Sequence, residues 1–429
     1  MPSPLPAASD ISTVSQMAAG LQGSEIIKLA GQIKEKMAAG QEIFNFTIGD
    51  FDPEVFPIPE GLHKAIVGAY EAGHTNYPPS NGMQGLREVL SAFMSRTTAL
   101  NYLPSDFLVA GGGRPLIYCF YQAVVNPGEK VIFPVPSWNN NHYTHLSGGL
   151  AQPVVTRAQN DFMPTAADLA PHLDQAAVVA LCSPLNPTGT VFTEEGLKEI
   201  CDLILAENEK RAGKRKPLYL LYDQIYWQLT FGDTRHVDPV SVQPGMRPYT
   251  LYIDGASKAY AATGLRVGWA FGPDLLIRKM KSLLGHIGAW APKPEQIGVT
   301  HFLEATGAHD GYMDAMRERL HSRLQAYYDG FRAMADAGLP VDAIAPQAAM
   351  YLTVKIDLKG RHRANGTAIA AQADVTSYLL DEAGLAVVPF GAFGAPDDTP
   401  WYRLSVGTAK TKDIPLALGK LRAAIDKLT

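Results

Sequence analysis

The chain has 429 residues, a formal net charge of −5, 46% hydrophobic and 18% charged residues. This length predicts two domains of unequal size. The composition is that of an ordinary soluble globular protein, and the mild acidity supplies neither a nucleic-acid surface nor a membrane surface. No apolar run reaches the roughly 18 residues that a membrane span requires.

Cys119, Cys182 and Cys201 are odd in number, form no CxxC pair and sit in apolar surroundings. They read as buried thiols, not as a disulfide framework. The opening MPSPLPAASDIS lacks a basic n-region and an apolar h-region, so it is not expected to be a secretory signal. The expected location is a reducing cytoplasm.

Residues 1–22, rich in Pro, Ser, Ala and Gly, are expected to form a mobile arm. A helix is expected next, with Ser24 as N-cap, Ile26, Ile27, Leu29, Ile33 and Met37 on its apolar face, and Gly40 as its stop. IFNFTIG (43–49) reads as a short strand, and FDPEVFPIPE (51–60) as a proline-punctuated crossing between domains. Helical patterns at 60–72 and 83–97 precede the strand FLVA (107–110), the turn GGGRP and the apolar helix LIYCFYQAVV (116–125). The runs KVIFPV, QPVV, AVVALC, LYLLYD, TLYID and VGWAFG follow, several separated by segments long enough for crossovers. That alternation predicts an α/β fold with a mostly parallel, doubly wound sheet. A long helix over about 308–336 leads out of it. The strands AMYLTVKI, LAVVPF and YRLSV and two helices then predict a smaller α+β domain. The basic run EKRAGKRKP (209–217) reads as a solvated helix end and loop. No GxGxxG or GxxxxGK[ST] motif supports a dinucleotide or P-loop reading.

The stretch ASKAYAATGLRVGWAFG (256–272) places Lys258 after two small residues and Arg266 between two glycines, ahead of an apolar run. Burial of such a lysine lowers its pKa and makes it a usable nucleophile or base. Asp223 ends the apolar run PLYLLYD, with Tyr226 three residues on. Asn186 lies in CSPLNPTG, and Arg403 in WYRLSVG. In their order and spacing, NPTG (186–189), YDQIY (222–226), SKAYAATGLRVGW (257–269) and YRLSVG (402–407) resemble the fold-type I, pyridoxal-phosphate-dependent aminotransferases of class I/II, the aspartate aminotransferase-like group. Weaker upstream matches extend the resemblance over nearly the whole chain.

The resemblance implies a large cofactor domain over 57–325 and a small domain assembled from 23–56 and 326–429. It implies Lys258 as the Schiff-base lysine and proton shuttle, and Asp223 as the partner of the pyridine nitrogen. Tyr226 and Asn186 would bond the cofactor's phenolic oxygen, and Asn186–Pro187 is a bond where cis geometry is allowed. The backbone of Gly112, Gly113 and Arg114, with Ser257 and Arg266, would hold the phosphate at a helix N-terminus. Tyr77 would reach the phosphate of a partner subunit, which implies a homodimer. Trp138 would stack on the ring. Arg403 would clamp the substrate α-carboxylate, with Gly49 giving a backbone contact to the same group. Gln224 departs from the acid common at that position. Lys293 and Trp290 are possible substrate-facing groups, with helix-start and interface roles as alternatives. The implied reaction moves an amino group from an amino acid to a 2-oxo acid by ping-pong half-reactions. Alternatives are a lyase or decarboxylase on the same fold, or a sensor module of a DNA-binding regulator; the latter lacks a basic helix-turn-helix segment. The amino donor is left open.

Overall fold

A computed structural model describes residues 13–21, 23, 25–98 and 100–429. Ser24, assigned as N-cap, and residues 1–12 of the assigned arm lie outside the described residues. Thirteen strands are described. β1 is Phe44–Asn45; β2, Phe107–Ala110; β3, Lys130–Val135; β4, Leu150–Val155; β5, Ala176–Cys182; β6, Tyr219–Asp223; β7, Thr250–Gly255; and β8, Gly268–Phe271. β9 is Val341–Ala343; β10, Tyr351–Ile356; β11, Leu385–Ala386; β12, Val388–Pro389; and β13, Trp401–Ser405.

A seven-stranded sheet runs in the order β2-β8-β7-β6-β5-β3-β4. Every neighbouring pair is parallel except those of β8, which is antiparallel to both β7 and β2. The central strands are near-continuous apolar runs because helices cover both faces. On one face, Leu116, Phe120 and Val124 of helix Gly113–Val124 pack with Leu276, Met280 and Leu284 of helix Asp274–Ile287. On the other lie helices Gln84–Thr98, Glu194–Arg211 and Thr306–Asp336, in a larger core that also holds Tyr222, Tyr252 and Trp269.

The later strands form a second sheet, β12-β13-β10-β9, antiparallel throughout. β1 pairs in parallel with β11, so the chain's early residues join its C-terminal part. Helix Glu25–Ala38 lays Leu29 and Ile33 against Leu380 and Ala386, and Gly40 adopts φ +84° just past its end. Met37, assigned to the same apolar face, is instead 52% exposed. The NPTG loop docks on the second sheet: Thr353 Oγ1 donates to the Thr188 carbonyl at 2.8 Å. Gly189 (φ +74°) lies so close to that sheet that a Cβ would stand 2.4 Å from the Tyr351 carbonyl oxygen. Only glycine meets both demands.

The basic run 209–217 is not the uniformly solvated segment that its charge suggests. Arg211 is buried, donating to Glu207 at 2.7 Å and to the carbonyls of Ala176 and Leu173 at 2.6 Å each. Its fork thus ties a helix end to the start of β5. Arg211→Met would remove three buried charge-assisted hydrogen bonds, to Glu207 and to the Ala176 and Leu173 carbonyls, and is expected to lower the unfolding free energy by about 3 kcal/mol. Lys210→Met, at a side chain 75% exposed, is expected to change it by less than about 0.5 kcal/mol. Urea midpoints of the two variants check both values.

Candidate active site

Ligand groups in a parallel sheet emerge at the carboxyl ends of its strands. β2 ends just before Gly112, β3 before Trp138, β5 before Asn186, β6 at Asp223 and β7 before Lys258. These five strands run in one direction, so their ends meet along one edge. β8 runs oppositely, and it is therefore its beginning that delivers Arg266 to the same edge.

Lys258 lies in the short turn Ala256–Ala259, and its Nζ donates to the Gly49 carbonyl at 2.6 Å. Burial pulls its pKa down to about 8; Asp50 opposes that shift, while Arg403, Arg114 and Arg266 reinforce it. Arg403, 3% exposed on β13, donates from Nη1 to Asn186 Oδ1 at 3.1 Å and from Nη2 to the Thr47 carbonyl at 2.7 Å. Its Nε is buried without a partner among the described residues. Its guanidinium lies 4.6 Å from the ring centroid of Tyr351 and 4.9 Å from that of Phe393. Because Asn186 Oδ1 already accepts from Arg403, its amide N–H groups remain to donate elsewhere. The Asn186–Pro187 bond is cis, as are Val135–Pro136 and Ser183–Pro184.

Asp223 accepts the Ile225 backbone N–H at 3.1 Å. Burial raises its pKa to about 6, opposed by that bond and by Lys258. Tyr226 is buried, and its hydroxyl lies 2.7 Å from that of Tyr351. Tyr351 was not singled out from sequence. It opens β10, more than a hundred residues downstream, and only the tertiary fold pairs the two phenols. Asp254 was also missed. It is 1% exposed on β7, and accepts from the Trp227 indole at 2.8 Å and the Gly255 N–H at 2.7 Å. Burial raises its pKa to about 8.

The glycine turn, Ser257 and Arg266 form a donor-rich cradle. Gly112 (φ +90°) is the N-cap of helix Gly113–Val124, which begins earlier than the apolar run alone suggests and includes Arg114 and Pro115. A Cβ on Gly112 would meet Arg266 Nη2 at 2.3 Å, and one on Gly268 would meet the Gly112 carbonyl carbon at 2.5 Å. Arg266 is itself left-handed (φ +56°), and donates to the carbonyls of Thr263 at 2.8 Å and Gly111 at 2.9 Å. Ser257 is buried beside Lys258.

Trp138 is half-buried, with the Arg114 guanidinium 4.5 Å from its ring centroid. Arg114 is exposed and makes no ion pair with the described residues. Tyr77 is 83% exposed and meets the Trp290 ring edge-on at 5.5 Å. Lys293 opens helix Lys293–Glu304 and donates to Asn76 at 2.7 Å, a helix-start position.

A depressed lysine, a buried carboxyl, an anion cradle and a half-satisfied arginine fork make a site suited to proton transfer beside a bound dianion and a carboxylate. Asp223 gives this a pH signature. Its folded pKa of about 6 exceeds the unfolded value of about 3.9. In cofactor-free protein it therefore opposes folding progressively as pH rises from about 4 to about 6. Relative to Asp223→Asn, the native chain is expected to lose roughly 3 kcal/mol across that window, read from urea unfolding at stepped pH.

The family model for aminotransferase class I and II matches residues 41–421. An aspartate aminotransferase of Geobacillus stearothermophilus is 29% identical, with 92% of this chain and 95% of that protein covered. A probable aspartate/prephenate aminotransferase of Rhizobium leguminosarum bv. phaseoli is 30% identical, with 90% and 92% covered. The crystal structure of the Rhizobium meliloti aspartate aminotransferase superposes with a TM-score of 0.89 at 26% identity, covering 97% of this chain and all of that one. The match to the family model over nearly the whole length places this chain in the class I and II aminotransferases, enzymes that depend on pyridoxal phosphate.

Proposed function

We propose that this aminotransferase holds pyridoxal phosphate through Lys258 and uses the same amine to carry the proton at the substrate Cα. The observation that carries the reading is the half-buried Lys258, its Nζ tied to the Gly49 carbonyl and Arg403 nearby. The residues present fit the cofactor. Arg266 closes on a glycine where no side chain fits, and Arg403 keeps a buried donor free. When bound, the cofactor supplies an aldehyde and a protonated ring that withdraws electrons from Cα.

Asp223, ionised beside the ring nitrogen, keeps that nitrogen protonated. Tyr226 and Asn186 donate to the phenolic oxygen. The N–H groups of Gly113 and Arg114, the Ser257 hydroxyl and the Arg266 fork hold the phosphate, while the Gly112 N–H, expected to join them, instead donates to the Ala110 carbonyl at 2.7 Å and shapes the turn. Trp138 bears on the ring face. Arg403 grips the α-carboxylate, Gly49 lies beside it, and together they turn the Cα–H bond toward Lys258. With the site closed, Lys258 Nζ takes that proton as a base and returns one as an acid. An amino acid gives up its nitrogen in one half-reaction, and a 2-oxo acid takes it in the other.

The donor we infer is a dicarboxylic amino acid, aspartate first. The relatives' names support this, as does Arg114, an exposed cation over Trp138 that makes no ion pair among the described residues. We also assign residues 57–325 to the cofactor-binding domain and 23–56 with 326–429 to the smaller one. The confinement of one sheet to residues 107–271 and the pairing of β1 with β11 support that division. The exposed Tyr77, Val67 and Tyr70 support a homodimer in which Tyr77 reaches the phosphate of a second copy. Three free cysteines suit a reducing cytoplasm.

Adding aspartate alone is expected to convert the absorption of the lysine-bound cofactor to that of its aminated form, with 2-oxoglutarate restoring it. Lys258→Ala should lack the lysine-bound band; its persistence would end the assignment. Arg114→Gln is expected to raise KM for aspartate about tenfold, near 1.4 kcal/mol, and to leave KM for alanine unchanged. Equal changes for both donors would remove Arg114 from the second carboxylate.

A further inference from the structure

A phenol has one proton and can give it to one partner only. The hydroxyls of Tyr226 and Tyr351 are 2.7 Å apart, and among the described residues neither makes another hydrogen bond. Tyr226 stands in the loop after β6, whereas Tyr351 opens β10 of the other sheet. The Tyr351 ring lies beneath the Arg403 guanidinium, 4.6 Å from its carbon, and meets the Tyr226 ring edge-on at 5.5 Å. A Cβ on Gly49 would sit 3.1 Å from the Tyr351 hydroxyl, so this phenol also borders the carbonyl that accepts from Lys258.

We propose that Tyr351 is a positioning residue with two tasks: it donates to Tyr226, so that the Tyr226 proton points at the cofactor's phenolic oxygen, and its ring floors the Arg403 fork. The proposal rests on the reading of Tyr226 and Arg403 given above. If Tyr226 donated to Tyr351 instead, it would present only lone pairs to an anionic oxygen, an unfavourable contact. Burial pushes both phenols up and Arg403 opposes this at each, so it is the anionic oxygen facing Tyr226 that sets the direction of the pair. The ring contact holds a guanidinium that already spends donors on Asn186 and Thr47, and fixes its plane as an aromatic floor does for a cation.

Two variants separate the tasks. Tyr351→Phe keeps the ring and removes the proton; Tyr351→Leu removes both. In the holoenzyme, the pH midpoint of the lysine-bound cofactor's colour change reports charge on the phenolic oxygen. With a weaker donor there, more negative charge stays beside the Lys258 nitrogen and the midpoint rises.

Tyr351→Phe is expected to raise that midpoint by about half a unit. It should weaken pyridoxal phosphate binding to the cofactor-free protein about threefold, read from tryptophan fluorescence, and leave the dissociation constant of succinate within twofold. Tyr351→Leu should add roughly a tenfold loss of succinate affinity; Tyr351→Met serves if that variant does not fold by circular dichroism. The double variant Tyr226→Phe, Tyr351→Phe should match Tyr226→Phe alone, because the second hydroxyl acts through the first. A native midpoint in Tyr351→Phe, or additive shifts in the double variant, would overturn the donor task while leaving Tyr226 in place. Unchanged succinate affinity in Tyr351→Leu would overturn the floor. A native midpoint in Tyr226→Phe would remove the reading beneath both.

Discussion

An ammonium group held largely out of water is the constraint around which this structure is arranged. Lys258 is buried far enough to lower its pKa to about 8, so near neutrality a small change in its surroundings exchanges an amine for an ammonium. What keeps the cation tolerable is one carbonyl, Gly49, together with Asp50 beside it. Both belong to the segment after β1, which is paired to the C-terminal part of the chain. The lysine comes from the end of β7 in the seven-stranded sheet. The bond from Lys258 to Gly49 therefore joins the two layers at the point where chemistry is expected, and the site is complete only when they meet.

Strand direction explains why the remaining groups arrive where they do. Five strands share one polarity and release Gly112, Trp138, Asn186, Asp223 and Lys258 at one edge. A further parallel strand would present its end there, whereas β8 enters in reverse and presents its beginning. The short 3-10 turn Thr263–Leu265 lies between Lys258 and β8, and Arg266 turns back in a left-handed conformation to cover Gly112. The spacing from Lys258 to Arg266 is thus the length of one sheet reversal.

Much of this was legible in the sequence. FLVA, KVIFPV, AVVALC and TLYID are strands over almost the lengths that their apolar runs suggested, because strands of a sheet covered on both faces need continuous apolar residues. Lys258, Asp223, Asn186 and Arg403 could be singled out because each lies in a short sequence motif, and the fold brings Arg403 to Asn186 and near Lys258. Other features were hidden for physical reasons. The Tyr351 partnership joins residues 125 apart in sequence and depends on how two sheets pack. Arg211 sits in a run whose composition reads as solvated, yet its fork satisfies carbonyls that the sequence does not show to be nearby. Asp254 hides in an apolar strand, where one carboxyl gives no periodic signal. LAVVPF looks like one strand but splits between β11 and β12, which pair in different sheets.

The tight contact of Gly189 with the backbone of Tyr351 bears on how the molecule can move. There is no room for even a methyl group between the NPTG loop and β10, and Thr188 and Thr353 are hydrogen-bonded at the same place. Close-packed surfaces of this kind resist sliding. Any swing of the smaller sheet against the larger one would therefore have to pivot on this loop, and Tyr351, with Arg403 close above it, would be displaced least.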